Sequence, residues 1–86
     1  MANHESSKKR IRQTIKITER NKHVRSTTRT TIKRVRAAVE AKDKAAATTA
    51  LAACVKQIDK AVAKGVYPRA TGSRYISRLT VHVNGI

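Results

Sequence analysis

KKRIRQTIKITERNKHVRSTTRTTIKRVR, residues 8–36, sets twelve Lys or Arg against the single carboxylate of Glu19, and so carries a net charge of +11 out of the chain's +15. No Gly or Pro interrupts it, and the pattern runs on through Ala37, Ala38 and Val39 to a stop near Lys42 and Asp43. That predicts one long helix, from about Ser6 to Ala41, with Ser6 or Ser7 as its cap and Met1 to Glu5 irregular. Charge of one sign at this density repels itself and weakens a free compact chain, which points to a polyanionic partner.

The helical phase of this stretch separates two jobs. Taking about 100° per residue from Val24, the residues Val24, Thr28, Ile32, Val35 and Val39 fall between about 0° and 80°, a core-facing stripe. Lys22, Arg25, Arg29, Lys33 and Arg36 fall between about 100° and 180°, a basic stripe beside it. Toward the N-terminus the apolar stripe breaks. Ile11 and Ile15 land near 140° and 180°, on the line of the basic stripe, while Lys9, Arg12, Lys16 and Arg20 spread around the other side.

Downstream, Asp43 is a good N-cap for a second helix running to Gly65, with Ala47, Leu51, Cys54, Val55, Ile58 and Val62 at helical spacing. Lys60 and Lys64 suit its last turns, Gly65 supplies a left-handed stop, and Val66 is placed for the accompanying apolar contact. A third helix is expected from about Pro68, where a fixed φ and a missing donor do no harm, with Ile76, Leu79, Val83 and Ile86 as its stripe. Gly72 and the β-branched Thr80, Val81 and Val83 weaken it.

Lengths then give an architecture. Helix one would span on the order of 54 Å and helix two on the order of 31 Å, so antiparallel packing through a short turn leaves roughly 23 Å of helix one unpartnered. Those residues are the ones where the apolar stripe loses phase. The expected fold is all-α, a three-helix bundle with a long, protruding basic first helix, in one domain of residues 1–86. About residues 6–20 would project and about 21–86 would form the bundle. An isolated helix as short as the overhang is marginal in water, so it should order fully only against its partner.

Composition narrows the function. Eighty-six residues allow one small domain, and the 40% apolar content is largely Ala, with no Phe or Trp and only Tyr67 and Tyr75 as aromatics. A thin core of close-packed helices follows, with no room for a large active-site cavity. A pI near 11.3 calls for an anionic partner, nucleic acid before a membrane surface or an acidic protein. No apolar run reaches membrane-spanning length, no secretory signal is evident, and the single Cys54 suits a buried position in a reducing compartment.

Lys and Arg around much of a projecting helix suit a groove walled by phosphates on several sides, as in folded RNA. Hydroxyls of the run Ser26, Thr27, Thr28, Thr30 and Thr31 either reach phosphates and ribose 2′-OH groups or bond their own backbone. Without aromatics there is no stacking platform for single strands, so recognition should read shape and backbone. An architectural DNA binder is the competing reading, and an amphipathic membrane-surface helix a weaker one for want of a wide apolar face. Catalysis has no support. His4, His23 and His82 lie on different segments, the carboxylates are dispersed, Cys54 has no base beside it, and no Gly-rich phosphate loop or metal-spaced Cys or His pair occurs. No cofactor, metal, small-molecule substrate or homo-oligomer is expected.

Met1-Ala2-Asn3, Ser6, Lys8-Lys9-Arg10, Asn21, Arg25-Ser26, Arg29-Thr30, Ile32-Lys33, Val35, Asp43, Ile58-Asp59, Lys64-Gly65, Arg74 and Leu79 together resemble, without a gap, the S-twenty family of bacterial small ribosomal subunit proteins. The resemblance implies a three-helix bundle with a long first helix that binds 16S ribosomal RNA directly during assembly, near the bottom of the subunit's body, in the cytoplasm. It also implies RNA contacts by Lys8, Lys9, Arg10, Arg12, Lys16, Asn21, Arg25, Ser26, Arg29 and Lys33, with Arg74 on the third helix. Lys22 and Arg36 join them through the basic stripe. The family is usually basic where this chain has Ile17, Thr18 and Glu19, and its third helix opens with a His, Lys and Asn run that here reads Pro68, Arg69, Ala70.

Overall fold

A computed structural model describes the backbone of residues 2–86 and the side chains from Glu5 onward. Three helices follow in order, α1 (Ala2–Glu40), α2 (Lys44–Ala63) and α3 (Arg69–Asn84). The molecule measures 63 × 20 × 14 Å. Its long axis is α1, whose 39 residues extend about 58 Å at 1.5 Å each.

Helix α1 starts earlier than the caps at Ser6 and Ser7 suggested, and residues 2–5 are helical rather than irregular. Nothing in that segment breaks a helix, and Glu5 in the first turn suits the positive end of the dipole. Met1 lies outside the described residues. At the other end, the N–H of Lys42 donates to Val39 O and that of Asp43 to Ala38 O, both near 3.0 Å, with Lys42 at φ 56°. This is a Schellman closure with a lysine in the left-handed position that Gly usually takes. Asp43 then caps α2, its Oδ1 accepting from Ala46 N at 3.1 Å. One residue thus closes one helix and opens the next, which makes the turn short and sets α1 and α2 antiparallel.

Gly65 ends α2 as expected, at φ 77°, with Gly65 N donating to Val62 O and Val66 N to Ala61 O. Val66 folds back onto Ala61 and Val24, forming a small second apolar cluster with Tyr67. Pro68 proves to be the N-cap of α3 rather than its first residue, with ψ 150° holding it in an extended conformation. The far end of α3 is tied back to α2, since Lys44 Nζ donates to Val83 O at 2.8 Å, placing a cation on unsatisfied C-terminal carbonyls.

The main core gathers Val35, Ala47, Cys54, Ile58, Leu79 and Val83, with Ile32, Val39, Leu51, Val62, Tyr75 and Ile76 packed around it. Leu51, Val55 and Val62 are half-buried, while Ala61 is fully buried. Ala47, Cys54 and Ala61 share the deepest places with Ile58 and Val35, and small side chains there let the helices approach closely. Gly72 shows the same pressure at the α2–α3 contact. A Cβ on it would lie 2.6 Å from Val62 Cγ2 and 3.3 Å from Ile58 Cγ2, so this glycine, weak for a helix, is what lets α3 seat. Ile86, last in the predicted stripe, is 36% exposed and lies outside the core.

Every side chain from Glu5 to Arg20 is exposed. That part of α1 therefore rests on local hydrogen bonds alone, and Lys8, Arg12, Lys16 and Arg20 form an unbroken i,i+4 ladder of like charge that opposes it. In the free protein, amides of residues 6–20 should exchange with little protection while those around Val35 and Ile58 exchange only on global unfolding. Hydrogen exchange read residue by residue decides this, and protection of residues 6–20 equal to that of the bundle would show a source of stability outside these contacts.

Candidate nucleic-acid interface

All twelve basic residues of the 8–36 stretch are exposed. Lys8, Lys9, Arg10, Arg12 and Lys16 sit on the projecting half of α1, on several sides of it. Lys22, Arg25, Ser26, Arg29, Lys33 and Arg36 are exposed along the half that packs, on the flank of a core stripe in which Val24, Thr28 and Val35 are buried. Burial of one face is what turns the neighbouring line of cations outward and fixes its direction. Asn21 differs from the rest. It is half-buried where α1 leaves the bundle, and its Oδ1 is buried without a protein hydrogen-bond partner.

The structure adds two residues that the sequence reading missed. Arg78 and His82 of α3 face Arg29, Lys33 and Arg36 of α1 across a groove of about 500 Å³, floored by Ile32, Tyr75 and Leu79. Four positive charges and one imidazole line this cleft. Arg74 is exposed one turn before Arg78 but does not line the groove. The signal for the missing pair was present as the i,i+4 spacing of Arg74, Arg78 and His82, but only the rotation of α3 against α1 shows which of them meet α1.

The threonines resolve an open alternative. Thr27 donates to His23 O, Thr28 to Val24 O, Thr30 to Ser26 O and Thr31 to Thr28 O, at 2.7–3.0 Å. Their protons are used within α1, which offsets their poor helix propensity. Thr28 is fully buried and also accepts from Gln57 Nε2 at 3.5 Å, so it belongs to the core. Tyr67 and Tyr75 meet edge to face at 5.9 Å and 90°, each half-buried.

Cys54 is fully buried, and burial pushes its thiol up, a shift only partly opposed by its 3.5 Å pairing with Thr31 Oγ1. It stays a protonated core residue, which is the opposite of what a nucleophile needs. Among the described residues no three His, Cys, Asp or Glu side chains come together at metal-binding range, and no helix is long and apolar enough to cross a membrane.

What the arrangement offers is a long projecting helix with cations on several sides and a basic cleft at its base. The family model for ribosomal protein S20 matches residues 2–84. This chain belongs to the ribosomal protein S20 family. Similar proteins include the small ribosomal subunit protein bS20 of Geotalea uraniireducens, 62% identical over 84 residues, covering 98% of this chain and 97% of that one. The same protein of Geobacter sulfurreducens is 56% identical over 98% of this chain and 97% of its own length. That of Syntrophus aciditrophicus is 52% identical over 98% and 94%. As a member of that family, the chain is a structural ribosomal protein and not an enzyme, and it works in the ribosome, in the cytoplasm.

Proposed function

We propose that this protein is a constituent of the small ribosomal subunit that binds 16S rRNA directly, neutralising and bridging rRNA helices as the subunit assembles. One observation carries the reading: exposed cations along the length of α1, on several sides of the projecting arm and on the flank of the packed half that enters the cleft shared with α3. The contacts we assign are Lys8, Lys9, Arg10, Arg12, Lys16, Asn21, Lys22, Arg25, Ser26, Arg29, Lys33, Arg36 and Arg74, to which the cleft adds Arg78 and His82. The chain acts as one domain in which residues 21–86 hold the cleft and residues 6–20 form the arm. Cations on several sides of an unpartnered helix can meet phosphates from more than one RNA helix, and arm ordering on contact then locks those helices together. A structured 16S rRNA fragment and duplex DNA of equal charge separate this from a generic polycation. The fragment should bind at least about a hundredfold more tightly at 150 mM salt, and equal affinities would overturn the proposal.

A further inference from the structure

Ile11 and Ile15 are 59% and 52% exposed, on a helix without a protein neighbour at that point. Single exposed apolar residues are ordinary, but these two are an i,i+4 pair at a particular place. They occupy the line that Lys22, Arg25, Arg29, Lys33 and Arg36 continue toward the C-terminus, with Lys8 closing the line about one turn before Ile11. The order along this edge is a cation at Lys8, an apolar and neutral interval of Ile11, Ile15 and Thr18, and a cation again at Lys22, roughly 21 Å from the first. Glu19 borders the interval on one side, and Arg12 and Lys16 lie beyond it.

A partner seated on this edge must be anionic at both ends of the interval and carbon-rich between them. The wide, shallow groove of an RNA helix has that cross-section, with phosphates on its two walls and a floor of riboses and base edges. We infer that Ile11 and Ile15 pack on the sugar and base floor of a shallow RNA groove, while Lys8 and Lys22 take phosphates of its opposite walls. The inference rests on the RNA-binding reading above and adds to it a contact that salt does not screen.

Binding to a structured 16S rRNA fragment measured across a salt series tests this. Replacing both isoleucines, Ile11→Ala with Ile15→Ala, keeps the charge and favours the helix, so the bundle and its melting temperature should not change. The expected result is a line of log K against log salt with the wild-type slope, displaced downward by about tenfold at every salt concentration. Lys8→Gln with Lys22→Gln should instead make the slope shallower by about two. A double alanine variant whose line coincides with the wild type overturns the inference. So does a wild-type protein that sediments as a dimer and becomes monomeric with the two alanines, since the pair would then be covered by a second copy. Failure of the wild type to prefer rRNA over duplex DNA would instead remove the RNA-binding reading itself.

Discussion

Raising the salt concentration from about 50 to 200 mM should weaken binding to a structured 16S rRNA fragment by about four orders of magnitude. Twelve cations on α1 are spread around the helix, so they cannot all reach a single RNA helix at once. Those sharing one edge can: Lys8, Lys22, Arg25, Arg29, Lys33 and Arg36, with Arg78 of α3 across the cleft and Arg74 exposed one turn before it. Eight neutralised phosphates give a slope of roughly −6 to −7 for log K against log salt, depending on how duplex-like the RNA is. Changing Arg29, Lys33 and Arg36 together to Gln should remove about three phosphates' worth of that slope and leave the melting temperature nearly unchanged, because all three are exposed. A wild-type slope shallower than about −2 would mean that the cationic edge is not where the RNA sits.

The parts of this fold legible in the sequence are those that follow from period and local chemistry. Val24, Thr28, Ile32, Val35 and Val39 repeat with the helical period and do face the core, and Asp43 and Gly65 act through side-chain oxygen and backbone freedom that any chain would exploit there. What stayed hidden depends on how closely helices approach. Ala61 is buried more deeply than Leu51, and Gly72 serves packing although propensity counts it as a weakness, because Ile58 and Val62 of α2 press on it. The left-handed Lys42 gives no residue-type signal at all. At the interface the same division holds. The basic stripe of α1 was plain from its spacing, whereas Arg78 and His82 became part of a cleft only through the placement of α3. Threonine hydroxyls were ambiguous for a simpler reason, since bonding to i−4 carbonyls and bonding to phosphate ask for the same side chain.

Ile58→Ala should lower stability by about 2–4 kcal/mol, with the midpoint of thermal unfolding falling by roughly 10–25 °C. Ile58 is fully buried at the centre of the main cluster, under Gly72 of α3. Backbone helices cannot collapse onto the space left by its side chain without moving α3 along Val62, so most of the cavity cost remains. A chain of 86 residues holds only about 4–13 kcal/mol in all, so this one truncation removes a large share. Leu51→Ala, at a half-buried position on the edge of the same cluster, should cost about half as much. The functional consequence follows from geometry, because Arg78 and His82 reach the α1 cations only while α3 is seated on Ile58 and Val62. Between its lowered midpoint and that of the wild type, the Ile58 variant should bind RNA with reduced affinity and a shallower salt slope, because α3 no longer holds Arg78 beside the α1 cations. Unfolding at the wild-type midpoint would show that α3 seats without Ile58, and an unchanged salt slope in a destabilised variant would show that the cleft's α3 wall takes no part in binding.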